Sequence, residues 1–448
     1  MVISDRLNRR RLTQIAGGMA GALALHPSLR AYAQETPESE EGVEVTTEEE
    51  GKLNVTWWTH TNQAFVDANL ALIQAFEAEN PDIHIVYQHF PYDVFVQKLQ
   101  TGYNSGTVAD MQQMFGSWVP RYSGFGLLDS MPEEMANGIE DRFWPAAIGG
   151  YELDGAYYGQ PKEYNLENGG MLVNPALLEE AGVTETPGTW ADLVEAAKAA
   201  TRRDGDKITQ AGLAFLNVDT VVFTFLSMIL QQGETYFADD GMHVNLQTDA
   251  GKKAWADLTA LVTGEKVDST QAFSTESHET FFQGKAAMCI RGPWVIAEGE
   301  FINPDLEFSY DPVPPYAGDK LLFAAESGWG EVVNAAADDD KKAAAWKFID
   351  FMHSEDNLRE WNKATLTVPS LQSLKDDAEL LEGAPGLATS FAVLDGGQWI
   401  GQIFDRDRFF QSIMDAITQV DLGQMSPEDA LVTAEQEINA MIDENMGP

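Results

Sequence analysis

Between Lys52 and Phe115 the apolar residues change period in a fixed order. Leu53, Val55 and Trp57 alternate, as in a strand with one buried face. Phe65, Leu72, Ile73 and Phe76 then recur at helical spacing, and Asn80-Pro81-Asp82 stops that helix. A second strand at 83–87, a helix at 92–103 and a strand at 111–115 follow. A β-α-β-α-β order implies a parallel sheet covered by helices, because parallel strands need long crossovers. A second set is expected downstream. It has a strand at 170–173, a helix after Pro187-Gly188-Thr189-Trp190, a strand at 211–215 and a buried helix at 220–230. Thr189 is the expected N-cap, with Asp192 in the capping-box position. From about Pro385 the chain turns helical. Two α/β units within 448 residues imply two lobes facing a cleft. Ligands of such sheets bind beyond the carboxyl ends of the strands, which draws attention to residues 58–63 and 116–118.

Charge narrows the function. The chain carries 71 Asp+Glu against 28 Lys+Arg, a net charge of −43. Such a surface repels phosphate backbones and anionic lipid, so no nucleic-acid partner is expected. It predicts high solubility, and self-repulsion unless salt screens it. The acidity resembles adaptation to high salt, although acidic secreted proteins also exist without it. The one cysteine, Cys289, excludes an intramolecular disulfide and reads as a small buried apolar side chain. No Ser elbow, Gly-rich phosphate loop or two-His helix is present, so neither an enzyme nor a cofactor is expected. The seven histidines are scattered. His84 and His89, five apart on a strand, point to opposite faces, and no metal site is expected.

The first residues read as an address. Asn8-Arg9-Arg10-Arg11-Leu12-Thr13 precedes an apolar run at 15–25, far short of a membrane span. Ala31-Tyr32-Ala33 then offers a cleavage site. The paired arginines resemble a twin-arginine export signal, with a general secretion signal as the alternative. Residues 1–33 are thus expected to be an export signal, and the acidic stretch 34–51 a solvated tether. The mature protein is expected outside the cytoplasmic membrane, periplasmic or extracellular. No cysteine near the cleavage site offers a lipid anchor.

Several stretches then carry a family resemblance. They are Asn80-Pro81-Asp82-Ile83, Gly106-Thr107-Val108-Ala109-Asp110, the run at 117–128 (SWVPRYSGFGLL) and Tyr158-Gly159-Gln160-Pro161 with Leu172-Val173-Asn174-Pro175. Further on come Pro187-Gly188-Thr189-Trp190-Ala191-Asp192-Leu193, the run at 282–294 (FQGKAAMCIRGPW), and Gly328-Trp329-Gly330 followed by Val368-Pro369. In this order and spacing the chain resembles the family 1 extracellular solute-binding proteins, the sugar-capturing components of ABC importers, and is similar to maltose-binding proteins. The resemblance implies an α/β, two-lobed periplasmic-binding-protein (type II, flytrap) fold with three interlobe crossings, near 165–170, 316–323 and 370–376. One lobe would comprise 52–165 plus 322–370, the other 170–316 plus 376–448. Such hinges absorb rotation while the lobes stay rigid. The implied partners are a small carbohydrate ligand and the transmembrane subunits of an ABC permease, with the binding protein itself a monomer.

A neutral sugar needs hydrogen-bond partners for its hydroxyls and flat rings for its C–H faces. Trp58, Trp118, Trp294 and Trp329 fall in loop-like positions and are the candidate stacking residues, each with core packing as the alternative. Trp190, Trp255 and Trp346 lie in helical patterns and read as core. His60, Thr61, Asn62 and Gln63 match the first binding loop of the family. Glu167 matches a hinge-proximal carboxylate, and Arg291 fits a hydroxyl pair, a ligand carboxylate or a structural ion pair. Asn217 and Asp219 are weaker candidates, and Phe410 reads as core. Two other functions stand beside sugar capture: binding of a cation such as a polyamine, and hydrolysis of carbohydrate. The uncharged first-lobe loops favour a neutral polyol. Carboxylate pairs are too common in so acidic a chain to argue for hydrolysis.

Overall fold

A computed structural model describes residues 43–446 apart from 319, 320, 376, 385, 402 and 404. The expected export signal, the start of the expected tether and parts of the second and third crossings lie outside the described residues. The rest of the expected tether departs from expectation. Val43–Glu44 is a short strand, β1, that pairs with β3 of the first sheet.

The first sheet forms as the alternation dictates. β2 (Leu53–His60) is followed by α1 (Gln63–Glu79), β3 (Ile83–Phe90), α2 (Tyr92–Ser105) and β4 (Met111–Phe115). Asn62 caps α1 by accepting from Phe65 N, the expected chemistry for a short polar side chain before a helix. β2 pairs in parallel with both β3 and β4. β5 (Gly159–Pro161) and the distant β11 (Trp329–Val333) complete the sheet, in the order β1-β3-β2-β4-β11-β5, with β11 antiparallel to its neighbours. Two later helices also belong to this half, α7 (Asp339–Met352) and α8 (Glu355–Thr365). Trp57 is fully buried against Tyr87 of β3 and Phe348 of α7.

A second, smaller sheet has β7 (Gly170–Val173) at its centre, flanked by β8 (Met288–Ile290) and β9 (Ser309–Pro312), both antiparallel to it. Its helices are α3 (Trp190–Ala200), α4 (Val218–Leu230), α5 (Asp249–Thr263), α6 (Trp294–Ile302), α9 (Arg406–Asp421) and α10 (Pro427–Met446). Thr189 caps α3 by accepting from Asp192 N, and its hydroxyl donates to the Asp192 carboxylate at 2.7 Å. Helix α4 is buried on nearly every side, as a helix apolar all round must be. Trp255, Trp346 and Phe410 are buried, as read from the sequence, and Cys289 is fully buried.

The expected strand at 211–215 is a correction. It makes only two isolated parallel bridges, Ala211 to Ala286 and Ala214 to Cys289. Its other backbone groups find different partners. Gly212 N donates to Val267 O, and the N–H groups of Phe215 and Leu216 turn to the Asp268 carboxylate. The chain is also too close to α3 for a side chain, since a Cβ on Gly212 would lie 1.7 Å from Ala197 O. Extended shape was legible in these residues, but ladder pairing was not.

Between the halves, β10 (Phe323–Ser327) pairs with β6 (Tyr164–Asn165) and with β12 (Gly397–Trp399). The halves also touch directly, because α6 packs against α1 and α8. Among the described residues, no helix is long and apolar enough to cross a membrane.

Candidate functional site

Three strand ends meet at one edge of the first sheet. His60 closes β2, Phe115 closes β4, and Trp329 opens the antiparallel β11. Trp329 and Phe115 are register partners. Their rings therefore stack, with centroids 3.7 Å apart and planes 24° from parallel. His60 stacks on Trp329 at 4.5 Å. Trp118 and Tyr92 stand edge-on to Trp329 at 5.5 and 6.3 Å. Glu163 fixes the start of β11 by accepting from Trp329 N at 3.1 Å. That approach requires glycine at 328, because a Cβ there would lie 2.4 Å from Glu163 Cγ. Burial pushes the His60 imidazole down to about 4, against the opposing hydrogen bond with Gln113. The cluster is thus uncharged at neutral pH.

Two buried arginines stand across from it. Arg406 opens α9 and binds Glu326 through both oxygens, at 2.9 and 3.0 Å. It also reaches Asp219 at 2.6 Å and lies over the Phe410 ring. Ser117 Oγ donates to the same Glu326 carboxylate. Arg291 follows β8 and donates to Asn217 at 2.7 Å and Glu167 at 3.3 Å. It also pairs with Asp219 at 3.9 Å and Glu276 at 3.6 Å. Asp219 is therefore shared between two guanidiniums. Burial pushes Glu167 and Glu326 up, and Arg291 and Arg406 oppose it by favouring the ionised forms. Tyr92 joins the two sides. The residue is 42% exposed, and its phenol is pushed up by desolvation and by the charge of Asp407, with Arg406 opposing.

The sides also touch. Trp118 Nε1 donates to Asp407 at 3.4 Å, and Arg121 lies 3.4 Å from Asp405. A shallow pocket lined by Val96, Ser117, Trp118, Tyr122, Arg406 and Asp407 lies along this seam.

The structure gathers the expected residues into two groups. His60, Trp118 and Trp329 form the aromatic cluster. Glu167, Arg291 and Trp294 form the other. Trp294 Nε1 donates to Glu167 Oε1 at 2.9 Å, Gly292 N donates to the second oxygen, and Arg291 lies over the indole. Both Glu167 oxygens are thereby engaged in placing Trp294, which stays partly exposed. Trp58 packs instead against Phe90, with Lys98 Nζ 4.8 Å over its ring. Asn62 caps α1, Gln63 bonds Asp67, and Thr61 bonds His89. Asn217 and Asp219, weak in the sequence, sit at the centre of the arginine network.

Sequence reasoning missed Arg406, Glu326, Phe115, Tyr92 and Asp407. One signal was available. In a chain with so few basic residues, an arginine between two acids, Asp405-Arg406-Asp407, is a candidate for specific pairing.

A family model described as "Bacterial extracellular solute-binding protein" matches residues 71–389. A putative binding protein of Brucella abortus is 25% identical over 376 residues, 82% of this chain and 88% of its own length. A maltotriose-binding protein of Pyrococcus abyssi is 23% identical over 337 residues, 74% of this chain and 69% of its own. Among solved structures, an ABC transporter solute-binding protein of Thermotoga lettingae bound with α-D-tagatose superposes with a TM-score of 0.74. It is 22% identical and covers 88% of this chain and all of that one. A maltose/maltodextrin-binding domain of Bdellovibrio bacteriovorus bound to maltotriose also gives 0.74, at 19% identity over 87% of this chain and all of that one. The fold is therefore the two-lobed α/β fold that these structures share.

Proposed function

This chain belongs to the family of bacterial extracellular solute-binding proteins, and from that premise we propose that it captures a neutral sugar or oligosaccharide between its lobes. It then delivers the ligand, unaltered, to an ABC permease. The observation that carries the choice of a neutral ligand is the pairing of the buried carboxylates. Glu167 and Asp219 face Arg291, and Asp219 and Glu326 face Arg406. A polyamine or other cation would have to draw these carboxylates away from guanidiniums that already satisfy them. A neutral polyol has no such competition. It needs flat rings and hydrogen-bond partners, and the accessible rings of Tyr92 and Trp294 with the arginine network offer both, while the buried Trp329 supports Tyr92 from behind. The relatives whose names state a ligand bind saccharides, among them maltotriose and arabinooligosaccharides.

In this mechanism no bond is made or broken. The sugar stacks on the aromatic cluster of the first lobe, Trp294 and the arginine network close over it, and closure follows from tighter binding to the closed form. The chain acts as a monomer outside the cytoplasmic membrane, exported by an N-terminal signal of twin-arginine or general secretion type.

A thermal-shift screen of neutral saccharides, polyamines and simple ions tests the reading. A saccharide at 100 times its Kd adds about 2.7 kcal/mol and raises the midpoint, and the recovered sugar is chemically intact. Stabilisation by polyamines or ions alone, or recovery of shortened product, would overturn it.

A further inference from the structure

Away from the cleft, three side chains that are remote in sequence converge on one point. His84 lies near the start of β3, Glu77 in the last turn of α1, and Glu49 in the loop before β2. Their ligand atoms all lie within 4.8 Å of one another. We infer that Glu49, Glu77 and His84 bind a divalent transition-metal ion of the Zn2+ type.

His84 is the centre of the cluster. The residue is 5% exposed. Its Nε2 lies 2.9 Å from the carbonyl oxygen of Thr47. A carbonyl only accepts, so Nε2 carries the proton, and in the neutral ring Nδ1 presents a lone pair. This buried Nδ1 makes no hydrogen bond of acceptable geometry. Two carboxylate oxygens nevertheless lie beside it, Glu77 Oε1 at 2.9 Å and Glu49 Oε1 at 3.4 Å. Ligands held at about 2.0–2.2 Å from one ion are separated by roughly 3.0–3.6 Å in octahedral or tetrahedral arrangements. The His84 separations fall at or close to that range.

The surroundings look like those of a metal site. A ligating imidazole commonly donates its other N–H to a carbonyl, and ligating carboxylates are themselves hydrogen-bonded. Here Thr47 O takes the imidazole proton, Ile85 N donates to Glu77 Oε1 at 2.9 Å, and Lys52 holds the other oxygen of Glu49 at 2.7 Å. One nitrogen and two carboxylate oxygens suit Zn2+ or its first-row neighbours better than Ca2+, which takes oxygen ligands. The ion would tie the N-terminal arm, β1 and the loop after it, to α1 and β3. No sequence motif announced the site, because its ligands are 28 and 7 residues apart on three different elements. The rival occupant is a proton on Nδ1, which would make an imidazolium ion pair with Glu77.

Zn2+ titration of the chelator-treated full chain by isothermal calorimetry separates the two. The measurement is made in 1 M NaCl, which screens diffuse binding to the acidic surface. One Zn2+ per chain is expected, with Kd at least tenfold weaker in Glu49→Gln. Glu49 is half exposed, so that variant tests the site without opening the core. Co2+ loading should give a visible ligand-field band in the parent chain that is absent from the folded Glu49→Gln variant. Absence of stoichiometric uptake, or equal affinity and an equal Co2+ spectrum in Glu49→Gln, would assign the position to a proton and overturn the inference.

Discussion

In the proposed site, Glu167 serves by positioning other groups rather than by meeting the ligand. Both of its oxygens are engaged by Trp294, Arg291 and Gly292, so its work is to hold an indole in place. Trp294→Ala removes the plate itself and is expected to weaken saccharide affinity 10–100-fold, about 1.4–2.8 kcal/mol. Because Trp294 is partly exposed, the thermal midpoint should fall little. Calorimetry and melting of the same variant check both halves of that expectation. Glu163 gives a pH signature. Burial pushes its carboxyl up to about 8 from 4.5, with the Trp329 N–H opposing. The folded chain therefore holds this proton more tightly than the unfolded one. The contribution to stability is complete below pH 4.5 and is lost as pH rises through about 8. Glu163→Gln keeps an acceptor for Trp329 N and removes the ionisation. It should match the parent near pH 4 and exceed it by ~2–4 kcal/mol at pH 9, as read by urea melts across pH. The Gly-Pro-Trp turn drew attention to Trp294 in the sequence. The pairing of Arg406 with Glu326 was not legible, because 80 residues separate them and only the fold gives each its partner.

At the scale of elements, periodicity and caps carried the reading well. β2, α1, β3, α2 and β4 all appear where alternation and helical spacing put them. The Thr189 cap forms with its Asp192 partner. Thr189→Ala should cost about 1 kcal/mol, measurable as a lowered denaturation midpoint with unchanged ligand affinity. What periodicity cannot give is pairing between strands remote in sequence. β11 enters the first sheet more than 200 residues after β4, and its first residue, Trp329, becomes the centre of the aromatic cluster only through that register. The same insertion creates a buried ion pair. Lys162 and Glu331 are fully buried and 2.8 Å apart, and Lys162 also donates to Asn69. Lys162→Met strands Glu331 without a counter-charge and should destabilise the chain by about 3–5 kcal/mol. The double variant Lys162→Met, Glu331→Leu should recover much of that loss, which equilibrium unfolding of the two would show.

At the scale of the whole molecule, the net charge of −43 sets a field that every fold of this chain must tolerate. Salt screens it over about 10 Å at 0.1 M and about 3 Å at 1 M. The melting midpoint should therefore rise with NaCl well beyond 0.15 M. A midpoint that is flat or falling with salt would show that self-repulsion is not a major term. The two-lobed plan was legible from the repeated α/β rhythm together with the ordered motifs. The direct contact between the halves was not, because it arises from side chains such as Trp118, Arg121, Asp405 and Asp407 that no period marks.

That contact has a further consequence. Where Trp118 meets Asp407 and Arg121 meets Asp405, the protein occupies with its own side chains the ground that the proposed guest would take. It is its own first competitor. Observed affinity is then the intrinsic affinity scaled by the fraction of molecules with the seam undone. Loosening the seam should tighten capture. Arg121→Ala removes the exposed arm of a 3.4 Å pair, worth about 1 kcal/mol, and should bind saccharide up to roughly fivefold more strongly by calorimetry, an improvement obtained by deleting a contact.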